Sequence, residues 1–119
     1  MTNNYCIHNL LKFICLMQDH SNNQCFSGSS CQKPFLGPII NSPCYNTRVV
    51  SLYQKNGELF SVTIQDTAYS YFRVMNVNET CCQLLILNNN QGNYTSTQQY
   101  ITVDIHCIGA IRCIQDINL

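Results

Sequence analysis

Nine cysteines, at positions 6, 15, 25, 31, 44, 81, 82, 107 and 113, are the residues through which this chain of 119 could do chemistry. Thiols serve metal ligation, nucleophilic catalysis, crosslinking, or packing as small hydrophobes. Their spacing sorts these uses. No C-x-x-C occurs, Cys25/Cys31 and Cys107/Cys113 are both C-x5-C, and Cys81 and Cys82 are adjacent, which a strand points to opposite faces. That pattern does not suit structural zinc. His106-Cys107 is the one His-Cys neighbour pair, and in an extended strand the two side chains diverge, so the imidazole cannot take the thiol proton. No glycine-rich nucleophile turn accompanies His8 or His20. The chain is therefore read as no enzyme, with no catalytic, cofactor-binding or metal-binding residues.

Crosslinking and packing remain, and they divide along the chain. Cys25 and Cys31 sit in "DHSNNQCFSGSSCQKP", a polar linker in which packing explains nothing, so they are the foremost intermolecular disulfide candidates. Cys6 and Cys15 are further candidates; nine residues apart on a helix, they lie about 180° apart in phase and cannot serve one partner surface. Cys107 and Cys113 continue an apolar face, where core packing competes with a local disulfide, and Cys82 joins them as an intra-protomer or core candidate. An odd number of cysteines leaves at least one free or paired with another molecule.

The elements that must position these sulfurs are mostly strands. Ile7, Leu10, Leu11, Ile14 and Met17 have the spacing of one helix face, which predicts a helix over 5–18. Linker and prolines follow to Cys44, so residues 1–44 read as an arm and 45–119 as a core. In "RVVSLYQKNGELFSVTI", Asn56-Gly57 predicts a two-residue type I′ turn, with Lys55 facing Glu58 and Tyr53 facing Phe60. Runs 69–77 and 81–87 are joined through Asn78-Glu79-Thr80, and the polar stretch from Asn88 to Gln99 reads as a long exposed loop. The last nineteen residues alternate with the odd positions apolar, and as one strand would run about 60 Å, so a corner is expected, at Gly109. The sum is a mainly β fold, a jelly-roll-like β-sandwich with one N-terminal helical arm.

Six basic residues balance six acidic ones, which gives nothing to attract nucleic acid or an anionic membrane. Near-zero net charge also removes the self-repulsion that holds proteins apart. No apolar run approaches the length of a membrane span, and "MTNNYCIHNLLKFICLMQDH" lacks a basic n-region and a small-residue cleavage site, so synthesis in the cytoplasm is expected. A cysteine-rich product of a reducing compartment must meet oxidation later, or keep its thiols.

Several stretches together resemble the spore coat proteins of the CotY/CotZ/ExsY type: "LLKFICLMQD" with Cys25 and Cys31-Gln-Lys-Pro-Phe-Leu-Gly, "NTRVVSLYQKNGELF", "FRVMNVNETCCQLLIL" with Cys82, and above all "ITVDIHCIGAIRCIQDINL". The resemblance implies a structural protein of the endospore crust or exosporium, made in the mother cell. It implies self-assembly with like copies, hexamers tiling into a disulfide-crosslinked two-dimensional lattice, and contact with other spore-coat proteins. Gly109 stands where relatives carry a further cysteine, and Cys15, Cys44 and Cys81 stand outside the family pattern. The alternative is a β-sandwich module that anchors other surface proteins or glycans through its polar loops.

Overall fold

The computed structural model describes residues 5–19 and 45–119. Cys25, Cys31 and Cys44 lie outside the described residues. The fold is mainly β and antiparallel, with one N-terminal helix, and is sandwich-like in its layering. Helix α1 spans Tyr5–Asp19, and the strands are β1 (Thr47–Gln54), β2 (Val62–Ile64), β3 (Thr67–Tyr69), β4 (Tyr71–Val77), β5 (Cys81–Asn90), β6 (Asn93–Asp104) and β7 (Ile108–Ile117). Five of them form one sheet in the order β6-β5-β4-β1-β7, and β2 pairs with β3 in a separate hairpin.

Alternation along the strands builds a core on each face of the large sheet. Val50, Leu52, Phe72, Val74, Cys82, Leu84 and Ile86 share one face, and Leu11 and Ile14 of α1 pack into the same cluster. Phe60, Val62, Ile64 and Tyr69, from the β2–β3 hairpin and its approach, cover the rest of that face. The helix is thus a layer of the core, more integral than an arm. Gln18 fixes its far end: the Gln18 side-chain amide donates to the Val74 carbonyl at 2.7 Å, and its oxygen accepts the Arg48 backbone N–H at 2.9 Å. The opposite face holds a smaller cluster of Val49, Leu85 and Leu87, with the Tyr71 and Tyr94 rings 5.2 Å apart beside it.

Turn chemistry departs from the sequence expectation at three points. At Asn56-Gly57 only Gly57 takes positive φ, 91°, and its N–H donates to the Gln54 carbonyl at 2.9 Å. The turn carries one more residue than expected, so Tyr53 pairs with Leu59 and the register slips by one. Two-residue type I′ turns do occur, at Gln65-Asp66 (φ 50° and 69°) and Gln91-Gly92 (φ 54° and 89°). The second of these makes Asn88–Gln99 a β-ribbon, with Asn90 opposite Asn93, where a loop was expected.

The corner near the C-terminus lies at a 3-10 turn over Ile105–Cys107, and Gly109 falls inside β7. Asp104 caps that turn by accepting the His106 N–H at 2.9 Å. Gly109 is required for another reason: a Cβ there would come within 2.8 Å of the Gln54 carbonyl oxygen and the Lys55 Cα. The turn carries the chain from β6 to β7, the two outer strands of the sheet. These edges consequently converge at the turn, leaving a cleft of about 350 Å³ lined by Leu52, Phe60, Ile101, Val103 and Ile108, with Cys107 beside it.

A bulge at Ile114, between the pairs Val49↔Gln115 and Val50↔Cys113, shifts the phase of β7. It turns Asp116, expected on the polar face, into the interior. There its carboxylate takes Nε of Arg48 at 2.9 Å, and both side chains are fully buried.

Candidate functional site

The sulfurs fall into classes that burial and hydrogen bonding define. Cys6 is exposed in the first turn of α1. Cys15, on the other side of the helix, is half-buried and donates to the Met75 carbonyl at 3.5 Å. Cys82 is buried against Val103 across the β5–β6 pair. Burial, followed by the charge of neighbouring Cys81, pushes its thiol up to about 12. Cys113 is half-buried in β7 and disulfide-bonded.

Cys107 corrects the expectation of core packing. It is exposed and free, because the 3-10 turn lifts it out of the alternating pattern before β7 begins. The same turn places His106 and Cys107 outside an extended strand, so the divergence expected of strand neighbours does not apply. His106 Nδ1 lies 3.1 Å from the Asp104 carboxylate, and both side chains are more than half exposed. The His106 backbone N–H first, and its ring second, hold the Asp104 carboxyl below the usual carboxylate range.

This turn meets a second one. Asn78 Oδ1 accepts the backbone N–H groups of Thr80 and Cys81 at 2.9 and 2.8 Å, which closes the Asn78-Glu79-Thr80 connection expected from the sequence. The Thr80 carbonyl then accepts the Ile105 N–H at 2.8 Å, and Cys81 stands opposite Asp104 in the β5–β6 register. His8 Nε2 reaches the Asn78 carbonyl at 3.1 Å. One end of the sheet thus collects His8, Cys81, Asp104, His106 and Cys107. Among the described residues no group of three or more His, Cys, Asp or Glu side chains is arranged to hold a metal ion.

What the arrangement offers is graded thiol access. Alkylation of the native protein at pH 8 is expected to modify Cys6 and Cys107 first. Cys82 should react only on unfolding, since a thiol with so high a pKa presents roughly a thousandfold less thiolate than an ordinary one. Mass spectrometry of a timed reaction reads the order. Labelling of Cys82 as fast as Cys107 would contradict its burial.

The family model for spore coat protein Z matches residues 1–95. The chain belongs to this spore coat family. Its role is therefore structural, in the spore coat at the endospore surface. The match spans α1 and β1 through β5 and ends within β6; the segment from Ile101 to Leu119, prominent in the sequence resemblance, lies beyond it. No curated protein and no solved structure matches the chain.

Proposed function

We propose that this spore coat family member is a self-assembling building block of the endospore crust or exosporium, in which copies join into closed rings, most simply hexamers, that tile as a two-dimensional sheet and are then locked by disulfides. The observation that carries this reading is the distribution of sulfur. Cys6 and Cys107 are exposed, free thiols, and they lie on separate elements, the helix and the turn between the sheet edges. Thiols on different surfaces can bond to different neighbours, which a sheet requires and an isolated pair does not. Cys25 and Cys31 add two further candidates from the linker.

Neutral net charge supports the same reading, since it lets like copies approach without long-range repulsion. Noncovalent contacts come first, and oxidation follows once copies are held together; each crosslink then stabilises the joined state by about 2–4 kcal/mol. The alternative, an anchoring module for other surface proteins or glycans, draws support from the exposed, uncharged ribbon over Asn88–Ser96. Electron microscopy of the purified protein separates the two, because only the first predicts ordered sheets or rings without a partner.

A further inference from the structure

The outer edge of β6 differs from the edges that soluble proteins keep. Edge strands are ordinarily short, or guarded by Lys, Pro or inward charges, because their unpaired N–H and C=O groups recruit other strands. β6 runs for 12 residues, and Asn93–Val103 contains neither a charged residue nor a proline. β7, at the other edge, carries the exposed Arg112 near its middle. Among the described residues no strand pairs with the outer side of β6.

The turn fixes which groups face outward. Gln91 and Gly92 form a two-residue connection, so the flanking Asn90 and Asn93 exchange hydrogen bonds with each other, and pairing alternates from there. Thr95 directs its N–H and C=O toward Asn88, and Tyr94 and Ser96 direct theirs away from β5. Beyond Ser96 the register breaks at a bulge centred on Gln98, φ 62°. There the Gln98 and Gln99 N–H groups bond to the Ser96 and Thr97 hydroxyls at 2.9 and 3.2 Å. The open edge is therefore concentrated in Tyr94–Ser96. Thr95 and Ser96 are exposed, and the Tyr94 ring lies on the face opposite Thr95, against Tyr71.

We propose that this edge pairs with the same edge of a second copy, antiparallel, about a two-fold axis through Thr95. Outward groups at alternate residues have the spacing that an antiparallel strand matches. In this register Tyr94 of each copy meets Ser96 of the other, forming about four backbone hydrogen bonds, and the two Thr95 residues face each other at a non-hydrogen-bonded site. Threonine pairs favourably with itself across strands, and the ribbon brings no charge that could oppose its own copy. The ladder is short, so its strength comes from repetition across an array. The inference rests on the self-assembly reading, for which it supplies the two-fold contact between rings.

At a non-hydrogen-bonded pair the Cα atoms stand about 4.5 Å apart, within the range a disulfide spans. The variant Thr95→Cys, oxidised in the full-length protein and mapped by mass spectrometry, is expected to give a disulfide between the position-95 peptides of two copies. Its yield should exceed that of an Asn89→Cys control on β5 by about tenfold, because paired thiols are held at high effective concentration. Adding Ser96→Pro deletes an outward N–H, together with the hydroxyl that accepts the Gln98 N–H, and spares the ladder to β5, so the crosslink should be lost with the circular dichroism unchanged, whereas Ser96→Ala, which lacks only that hydroxyl, should keep it. Ordered sheets without the position-95 crosslink would overturn this contact and leave the assembly reading standing. The crosslink without sheets or rings would uphold the contact and overturn the lattice, and absence of both would overturn both.

Discussion

Arg48→Ala is expected to destabilise the fold by about 3–5 kcal/mol, the usual cost of leaving one member of a buried ion pair alone. Arg48 is fully buried and Asp116 is 4% exposed. The guanidinium grips the carboxylate with two nitrogens, Nε to Oδ1 at 2.9 Å and an Nη to Oδ2 at 3.3 Å. Burial pushes the Asp116 carboxyl up, and the hydrogen bond and charge of Arg48 oppose that rise. The pair thus mainly offsets the cost of its own desolvation, and its deletion leaves the remaining charge without that compensation. Joint replacement, Arg48→Met with Asp116→Leu, should recover most of the loss, since a packed apolar pair of similar volume avoids the desolvation cost. Urea titration followed by circular dichroism measures both variants. Equal destabilisation by the single and joint variants would place the cost in packing alone.

Replacing Cys6, Cys25, Cys31 and Cys107 together by serine is expected to collapse the ladder of covalent multimers on a non-reducing gel to monomer. The β spectrum should survive, because the core clusters on both faces are built from packed strands and α1. Sheets formed by this variant should dissolve at lower denaturant than the oxidised wild type, by the roughly 2–4 kcal/mol that each crosslink contributes. Cys82→Ser should leave the ladder intact, as its thiol is enclosed. A ladder that persists in the fourfold variant would assign crosslinking to the remaining sulfurs and refute the role given to exposure.

The parts of the fold legible in the sequence are those with an apolar face to reveal periodicity. Leu11, Ile14 and Met17 marked α1, and the apolar runs 69–77 and 81–87 on either side of Asn78-Glu79-Thr80 marked β4 and β5. The ribbon from Asn88 to Ser96 was hidden because it is largely exposed on both sides, so polar residues fill nearly every position and Tyr94 alone leaves no alternation to read. Its turn, Gln91-Gly92, and the turn at Gln65-Asp66 put non-glycine residues at positive φ, where sequence gives little warning. Asn56-Gly57 marked a real turn but not its residue count, and that count set the register.

The site was less legible because single phase shifts decide it. The bulge at Ile114 sends Asp116 inward to a partner 68 residues away in sequence, a pairing no local pattern carries. The 3-10 turn at Ile105–Cys107 makes Cys107 exposed although it follows Val103 and Ile105 in apparent alternation. The one available signal was Asp104 two residues before His106, a capping residue at the end of an apolar run.

The central claim, that this spore coat family member assembles with itself, is tested most directly by electron microscopy of the purified full-length protein, imaged with and without reductant. Ordered two-dimensional sheets or closed rings are expected in both samples, with those under oxidising conditions alone resisting denaturant. A monodisperse monomer at high protein concentration in both samples would contradict the account.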